Sequence, residues 1–239
     1  GAHSRENILR KINDFIAKQQ EVMDGQYNLG LPVLSESEVL QKTIDICDIC
    51  QDPDYVQGED FVSLKAFRKH AAVAAKVAKN VSTKGGTILF ATGHPKSLIT
   101  PYSYMAKRLI ENGAKIYNPA IYPVTYEERI FLLGSICGVT VLFNRGEVKH
   151  THNDCGLDEI LENERAQLDL VIGDHGMAAA AIRAGIPTIA IVDTNDIELI
   201  VSCCVYSNRV FPIPMHDNAG PEMSMALAYY FEHLMKHPG

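Results

Sequence analysis

The chain has 239 residues, 46% of them hydrophobic and 21% charged, with a formal net charge of −7. That is enough apolar material for a packed core, and it excludes a disordered chain. The acidic balance speaks against nucleic acid or an anionic membrane surface as partner, because both call for basic surface.

The first 82 residues read as a helical layer. Ser4 caps a helix from Arg5 to about Met23, with Ile8, Ile12, Phe15, Ile16 and Val22 on one face and Gly25 as its stop. Asp24 to Pro32 is a loop. Ser35 or Ser37 caps a second helix carrying Val39, Leu40, Ile44, Cys47 and Ile49, which ends by Asp52-Pro53-Asp54. A third helix covers about Val62 to Val81. From residue 83 the character changes to short β-branched strands alternating with helices, the mark of a parallel sheet. Strands are predicted at Thr87–Ala91, Lys115–Asn118, Leu168–Ile172, Thr188–Val192 and Val210–Ile213. Helices are predicted at Leu98–Asn112, Leu157–Gln167, Met177–Ala184, Ile197–Cys203 and Pro221–His237. Ile136–Asn144 and Glu147–His150 read as a hairpin about Arg145-Gly146. The expected fold is a single α/β domain: a three-layer, mostly parallel Rossmann-like sheet (residues 83–239) with an N-terminal helical layer (1–82) packed on it.

The longest apolar stretch, Ile130 to Phe143, is broken by Gly134, Ser135 and Gly138 and is shorter than the ~20 residues of a membrane span. The polar start predicts no secretory signal. Cys47 and Cys50 form the one C-x-x-C, and no second pair completes a zinc set; with Cys137, Cys155, Cys203 and Cys204 they read as reduced thiols of a cytoplasmic protein.

Ligands of open α/β sheets bind beyond the carboxyl ends of the strands. Three polar tetrapeptides fall there: Thr92-Gly93-His94-Pro95, Gly173-Asp174-His175-Gly176 and Asp193-Thr194-Asn195-Asp196. Thr92, Gly93, His94 and Lys96, just before a helix start, suit an anionic group of a substrate, and Asn195 and Asp196 extend that surface. Asp174, His175, Asp193 and His94 are the candidate catalytic acids and bases. Asp174, His175 and Asp193, with His150 and His152 of His150-Thr151-His152, are candidate ligands of a divalent ion (Mg²⁺, Mn²⁺ or Zn²⁺). Alternation would put His150 and His152 on one face of a strand. Plainer roles exist for each: Asp174 and Asp196 as helix N-caps, His94 as a loop contact, His150 and His152 as an exposed turn. His216-Asp217-Asn218 after the last strand is a weaker candidate, and His3, His70, His233 and His237 are given no role. No G-x-G-x-x-G follows a strand, and G-x-x-x-x-G-K-[ST] and G-x-S-x-G are absent.

Residues 171–191 resemble the fourth motif region of haloacid-dehalogenase-type phosphatases, with Asp174 in the place of the magnesium-holding acid. The second acid of that motif and the D-x-D-x-[TV] nucleophile are missing, so the likeness is local. Across most of the chain, the order Arg5-Glu6-Asn7, FATGHP (90–95), HTHN (150–153), GDHG (173–176), DTND (193–196) and Asp217-Asn218 resembles a little-characterised bacterial family labelled "phosphatase". The resemblance implies hydrolysis of a phosphate ester. The expected protein is a hydrolase of a small phosphorylated metabolite, assisted by a divalent metal. The rivals are a non-catalytic module that binds a sugar phosphate or nucleotide, and a lyase or cyclase acting on a small carboxylate. Self-association as a homo-oligomer is compatible with the sequence.

Overall fold

The computed structural model describes residues 3–20, 27–164 and 167–237. The first helix, α1 (Arg5–Gln20), starts as expected, while the expected stop at Val22–Gly25 lies outside the described residues. Ser35 caps α2 (Glu36–Cys47): its hydroxyl accepts from Glu38 N, and the Glu38 carboxylate accepts from Ser35 N at 2.8 Å. Ser63 caps α3 (Leu64–Thr83) more simply: its hydroxyl accepts from Ala66 N at 3.0 Å, with no carboxylate at that position to reciprocate.

The α/β part contains β3 (Thr87–Ala91), α4 (Pro95–Glu111), β4 (Lys115–Ile116), β5 (Tyr122–Tyr126), β6 (Arg129–Ile136), β7 (Val139–Asn144), β8 (Glu147–Val148) and α5 (Leu157–Glu164). It continues with β9 (Leu170–Asp174), α6 (His175–Arg183), β10 (Thr188–Val192), α7 (Ile197–Val205), β11 (Val210–Pro214) and α8 (Pro221–Lys236). The sheet order is β11-β10-β9-β3-β7-β6-β5, with β4 also on β3 and β8 on β7. Strands β11, β10, β9, β3, β4 and β7 pair in parallel, and β5, β6 and β8 add antiparallel pairs at one edge. This is a three-layer, mostly parallel α/β fold. Alternation along the strands divides the core. Ile88, Phe90, Ile189 and Ile191 pack with α3, α4 and α8. Ala190 and Val192 pack with α1, α2, α6 and α7, and Leu89 and Ala91 with α5 and α6. No described helix is long and apolar enough to cross a membrane.

The region 120–150 differs from the sequence expectation. The apolar run 130–143 is two antiparallel strands, β6 and β7, that turn at Cys137-Gly138, and β5 pairs with β6 through a turn at Glu127-Glu128. The expected turn at Arg145-Gly146 is present, but β8 ends at Val148. His150 and His152 therefore sit in a loop, not on a strand. Helix α4 starts at Pro95 rather than Leu98, because proline at the first helical position needs no N–H partner. Asp174 closes β9 and His175 opens α6, two residues earlier than the alanine run suggests.

One contact fixes the segment around His3–Arg5. Strand β1 (His3–Ser4) pairs with β2 (Glu59–Asp60), and Arg5, 1% exposed, reaches Asp60 Oδ2 at 3.1 Å. Arg5 Nε also donates to Tyr55 O at 2.9 Å, and Asp60 Oδ1 accepts Cys50 N–H at 3.0 Å. Breaking a buried pair on one side leaves an uncompensated charge. Asp60→Ala is expected to lose about 3–5 kcal/mol in urea denaturation; an unchanged midpoint would show that Arg5 is satisfied without it.

Candidate functional site

From β3 the chain crosses to β4 on one side, while β9 lies on the other side of β3. The crevice between β3 and β9 is thus a topological switch point, where α/β sheets bind ligands. Gly93 and His94 follow β3 there, and Asp174 ends β9. Asp174 is fully buried; it accepts Gly93 N–H at 3.2 Å and lies 3.0 Å from His94 Nδ1. It occupies the N-cap position of α6 but makes no capping bond, so the plain helix-cap role fails for it. Thr92 Oγ1 accepts His94 N–H at 2.9 Å and stiffens the same turn.

The loop carrying His150 and His152 rests on two glycines. Thr151 N donates to Gly93 O at 2.9 Å, and Gly176 N donates to His152 O at 3.1 Å. A Cβ on Gly93 would stand 2.0 Å from Thr151 O, and one on Gly176 would stand 2.2 Å from Asn153 C. Only glycine admits this approach. Beyond the loop, Asp154 and Asp158 both meet Arg183 of α6. The imidazoles gather as a result: His150 Nε2 and His152 Nε2 are 3.0 Å apart, and the His94 ring is centred 4.2 Å from that of His150 and 4.5 Å from that of His175.

His175 is the buried centre. Its φ of 44° lies in the left-handed region, unusual for a residue with a side chain and of the kind found at functional sites. That backbone sets the ring between two carboxylates, with Nδ1 3.1 Å from Asp196 Oδ1 and Nε2 2.7 Å from Asp217 Oδ2. His94 Nε2 lies 3.8 Å from Asp217 Oδ1. Although burial disfavours the charged ring, Asp196 and Asp217 outweigh it and raise the His175 pKa well above its ordinary value. At the cleft rim the balance reverses. Loss of hydration, then the nearby His175, His94 and His150, bring His152 down to about 4. Burial first, then His94 and His175, also lower His150.

Asp193 belongs to the same rim but faces elsewhere. Its N–H donates to Asp196 Oδ2 at 2.9 Å, while its carboxylate meets His3 and His216. Burial raises the Asp193 pKa, but hydrogen bonds from those two histidines outweigh it and hold the acid below its usual range. Asn195 and Asp196 line a small cleft of about 90 Å³, open to solvent, together with His152, Tyr27 and the lysines Lys11 and Lys18 of α1. Lys96 is exposed on the first turn of α4 and makes no hydrogen bond or ion pair among the described residues. His94, Asp174, His175, Asp196, His150 and His152 are thus brought together, Asp193 is joined to them through Asp196, and Lys96 is not. From the sequence alone His3 has no expected role and Asp217 only a weak one. For Asp217 the available signal was an acid directly after a strand; for His3 no local signal existed.

Residues 1–237 match the family described as Phosphatase. The chain belongs to the Phosphatase family. A relative, Phosphatase SCO2771 of Streptomyces coelicolor (strain ATCC BAA-471 / A3(2) / M145), is 28% identical over 175 residues, which span 70% of this chain and 64% of that protein. In this Phosphatase family member the motifs TGHP, HTHN, GDHG and DTND and the acid Asp217 converge on one rim of the sheet, although they are spread over 126 positions of the chain (92 to 217).

Gly176→Ala tests the seating of the histidine loop. The added methyl is expected to displace residues 150–154, moving the His150 and His152 ring resonances in NMR spectra and leaving those of His233 and His237 in place. Unmoved His150 and His152 signals would show that the loop does not depend on the close approach.

Proposed function

We propose that this chain is a metal-assisted phosphoester hydrolase acting on a small phosphorylated metabolite, with its centre at His94, Asp174, His175, Asp196 and Asp217. The family description and the printed name of the Streptomyces relative support the reaction class. The observation that carries the reading is the state of His175. Both its ring nitrogens and Asp217 Oδ2 are buried at ion-pair distances, yet none makes an aligned hydrogen bond among the described residues. Buried polar atoms are almost always satisfied, so these three favour a ligand that takes one ring nitrogen and a carboxylate oxygen; binding it would displace the proton that the two acids otherwise hold on that nitrogen, leaving the other ring N–H for the second acid.

Charge supports the same reading. Asp174, Asp193, Asp196 and Asp217 are crowded at one rim, and a phosphate ester would be repelled there without a cation to reverse the local sign. The donors fit such an ion. Ring nitrogens of His94, His152 and His175 lie within 4.8 Å of one another, as do ligand atoms of His175, Asp196 and Asp217. Mixed imidazole and carboxylate donors suit Zn²⁺ or Mn²⁺ better than Mg²⁺. When bound, such an ion polarises a phosphoryl oxygen and lowers the pKa of water.

The chain's own side chains do the remaining work. Asp174, fixed by Gly93 N–H, orients the His94 ring. Burial and the neighbouring imidazoles hold His152 neutral, as a ligand must be, and His150, 3.0 Å from it at the rim, is placed to take a proton from the attacking water. Lys11, Lys18 and Asn195 supply donors for the rest of an anionic metabolite across the cleft. Direct attack by water is favoured over a cysteinyl intermediate, because burial pushes the Cys155 thiol up to about 11.

The test is chelator-treated protein given a panel of phosphorylated metabolites with Zn²⁺, Mn²⁺ or Mg²⁺, scored by released phosphate. Release is expected only with metal. Asp174→Asn is expected to lower the rate by about 100-fold or more with an unchanged melting temperature. Metal-independent release, or full activity in the variant, would contradict the reading.

A further inference from the structure

We propose that His3, Asp193 and His216 form a second divalent-cation site, of the Zn²⁺ class, which ties the N-terminal segment to the sheet. His3 Nε2 and His216 Nδ1 approach the same carboxylate oxygen, Asp193 Oδ2, at 3.2 and 2.6 Å. All three ligand atoms lie within 4.8 Å of one another, and the two rings are inclined at 71°. Two nitrogens and one oxygen are a donor set for a borderline transition ion, since Mg²⁺ and Ca²⁺ prefer oxygen alone. Three protein ligands also leave a coordination position open.

Each ligand is held by an outer contact. Asp193 Oδ1 accepts Thr194 N–H at 2.6 Å, which leaves Oδ2 free to face the histidines. Asn195 Nδ2 stands 3.5 Å from His3 Nδ1. Oxygen and nitrogen of a carboxamide exchange by a flip, so Asn195 can accept from Nδ1–H and leave the Nε2 lone pair for a metal. His3 is delivered from far along the chain: β1 pairs with β2, and the buried Arg5–Asp60 contact anchors the next residue but one. A surface histidine pairing by chance needs no buried anchor. Asp193 is 1% exposed, whereas the His3 and His216 side chains are 28% and 24% exposed, so an ion can enter from solvent.

This site shares no ligand with His94, His152, His175, Asp196 and Asp217, and it stands whatever reaction the first cluster performs. The experiment counts metal in tag-free, chelator-stripped protein reloaded with Zn²⁺ and desalted, by elemental analysis and by calorimetric titration. His3→Gln and His216→Gln, which keep polar side chains without an imidazole, are each expected to hold one equivalent fewer than the unmodified chain. His175→Gln is expected to keep the equivalent that those two lose. In the unmodified chain Zn²⁺ is expected to raise the melting temperature more than in His3→Gln. Equal zinc content and equal thermal response in the unmodified chain, His3→Gln and His216→Gln would overturn the proposal and leave the trio as hydrogen bonds. The count does not depend on phosphate release, so a failure to hydrolyse bears on the preceding reading alone.

Discussion

The contact on which the site depends is the carboxylate of Asp174 with Gly93 N–H and His94. It joins the end of β9 to the turn after β3, across the crevice where the strand order reverses. A carboxylate with no exposed surface is costly unless its lone pairs are engaged. Here a backbone N–H and an imidazole engage them, and that fixes where the His94 ring points. From His94 the chain of contacts runs to Asp217, to His175 and to Asp196, so one buried acid sets the frame for residues from four loops.

Backbone shape then decides which loops can join. Gly93 and Gly176 present bare backbone to residues 151–153, and His175 accepts a left-handed φ to stand between two acids. These are local concessions of the kind that accumulate where chemistry is done. The N-terminal layer contributes from the other direction. Helix α1 lines the cleft with Lys11 and Lys18, and the Arg5–Asp60 pair holds the strand that brings His3 to Asp193.

Much of this was legible in the sequence, for identifiable reasons. Parallel strands buried on both faces read as β-branched runs, so Thr87–Ala91 and Thr188–Val192 stood out. The polar tetrapeptides after them were marked by glycine and acid at the strand ends, and Asp174, His175, Asp196 and His94 do meet. The β5–β6–β7 meander was not legible. Its turns, Glu127-Glu128 and Cys137-Gly138, put positive φ on Glu127, Glu128 and Cys137, residues that lack the usual Asn-Gly cue. After the expected Arg145-Gly146 turn β8 also ends sooner, at Val148, so His150 and His152 do not occupy the strand on which alternation put them. Their proximity comes instead from the seat that Gly93 and Gly176 provide. His3 was invisible for another reason: its partner lies 190 positions away (3 to 193), and the β1–β2 pairing with its Arg5–Asp60 anchor, both non-local, brings the two together.

The central claim is that the buried imidazoles and carboxylates at the switch point are metal ligands rather than a hydrogen-bonded core. Anomalous diffraction at the zinc edge, from crystals grown with Zn²⁺, tests this most directly. The account predicts a peak bounded by His175, Asp196 and Asp217. Zinc-saturated crystals with no peak there, and with His175 hydrogen-bonded to both acids, would contradict it.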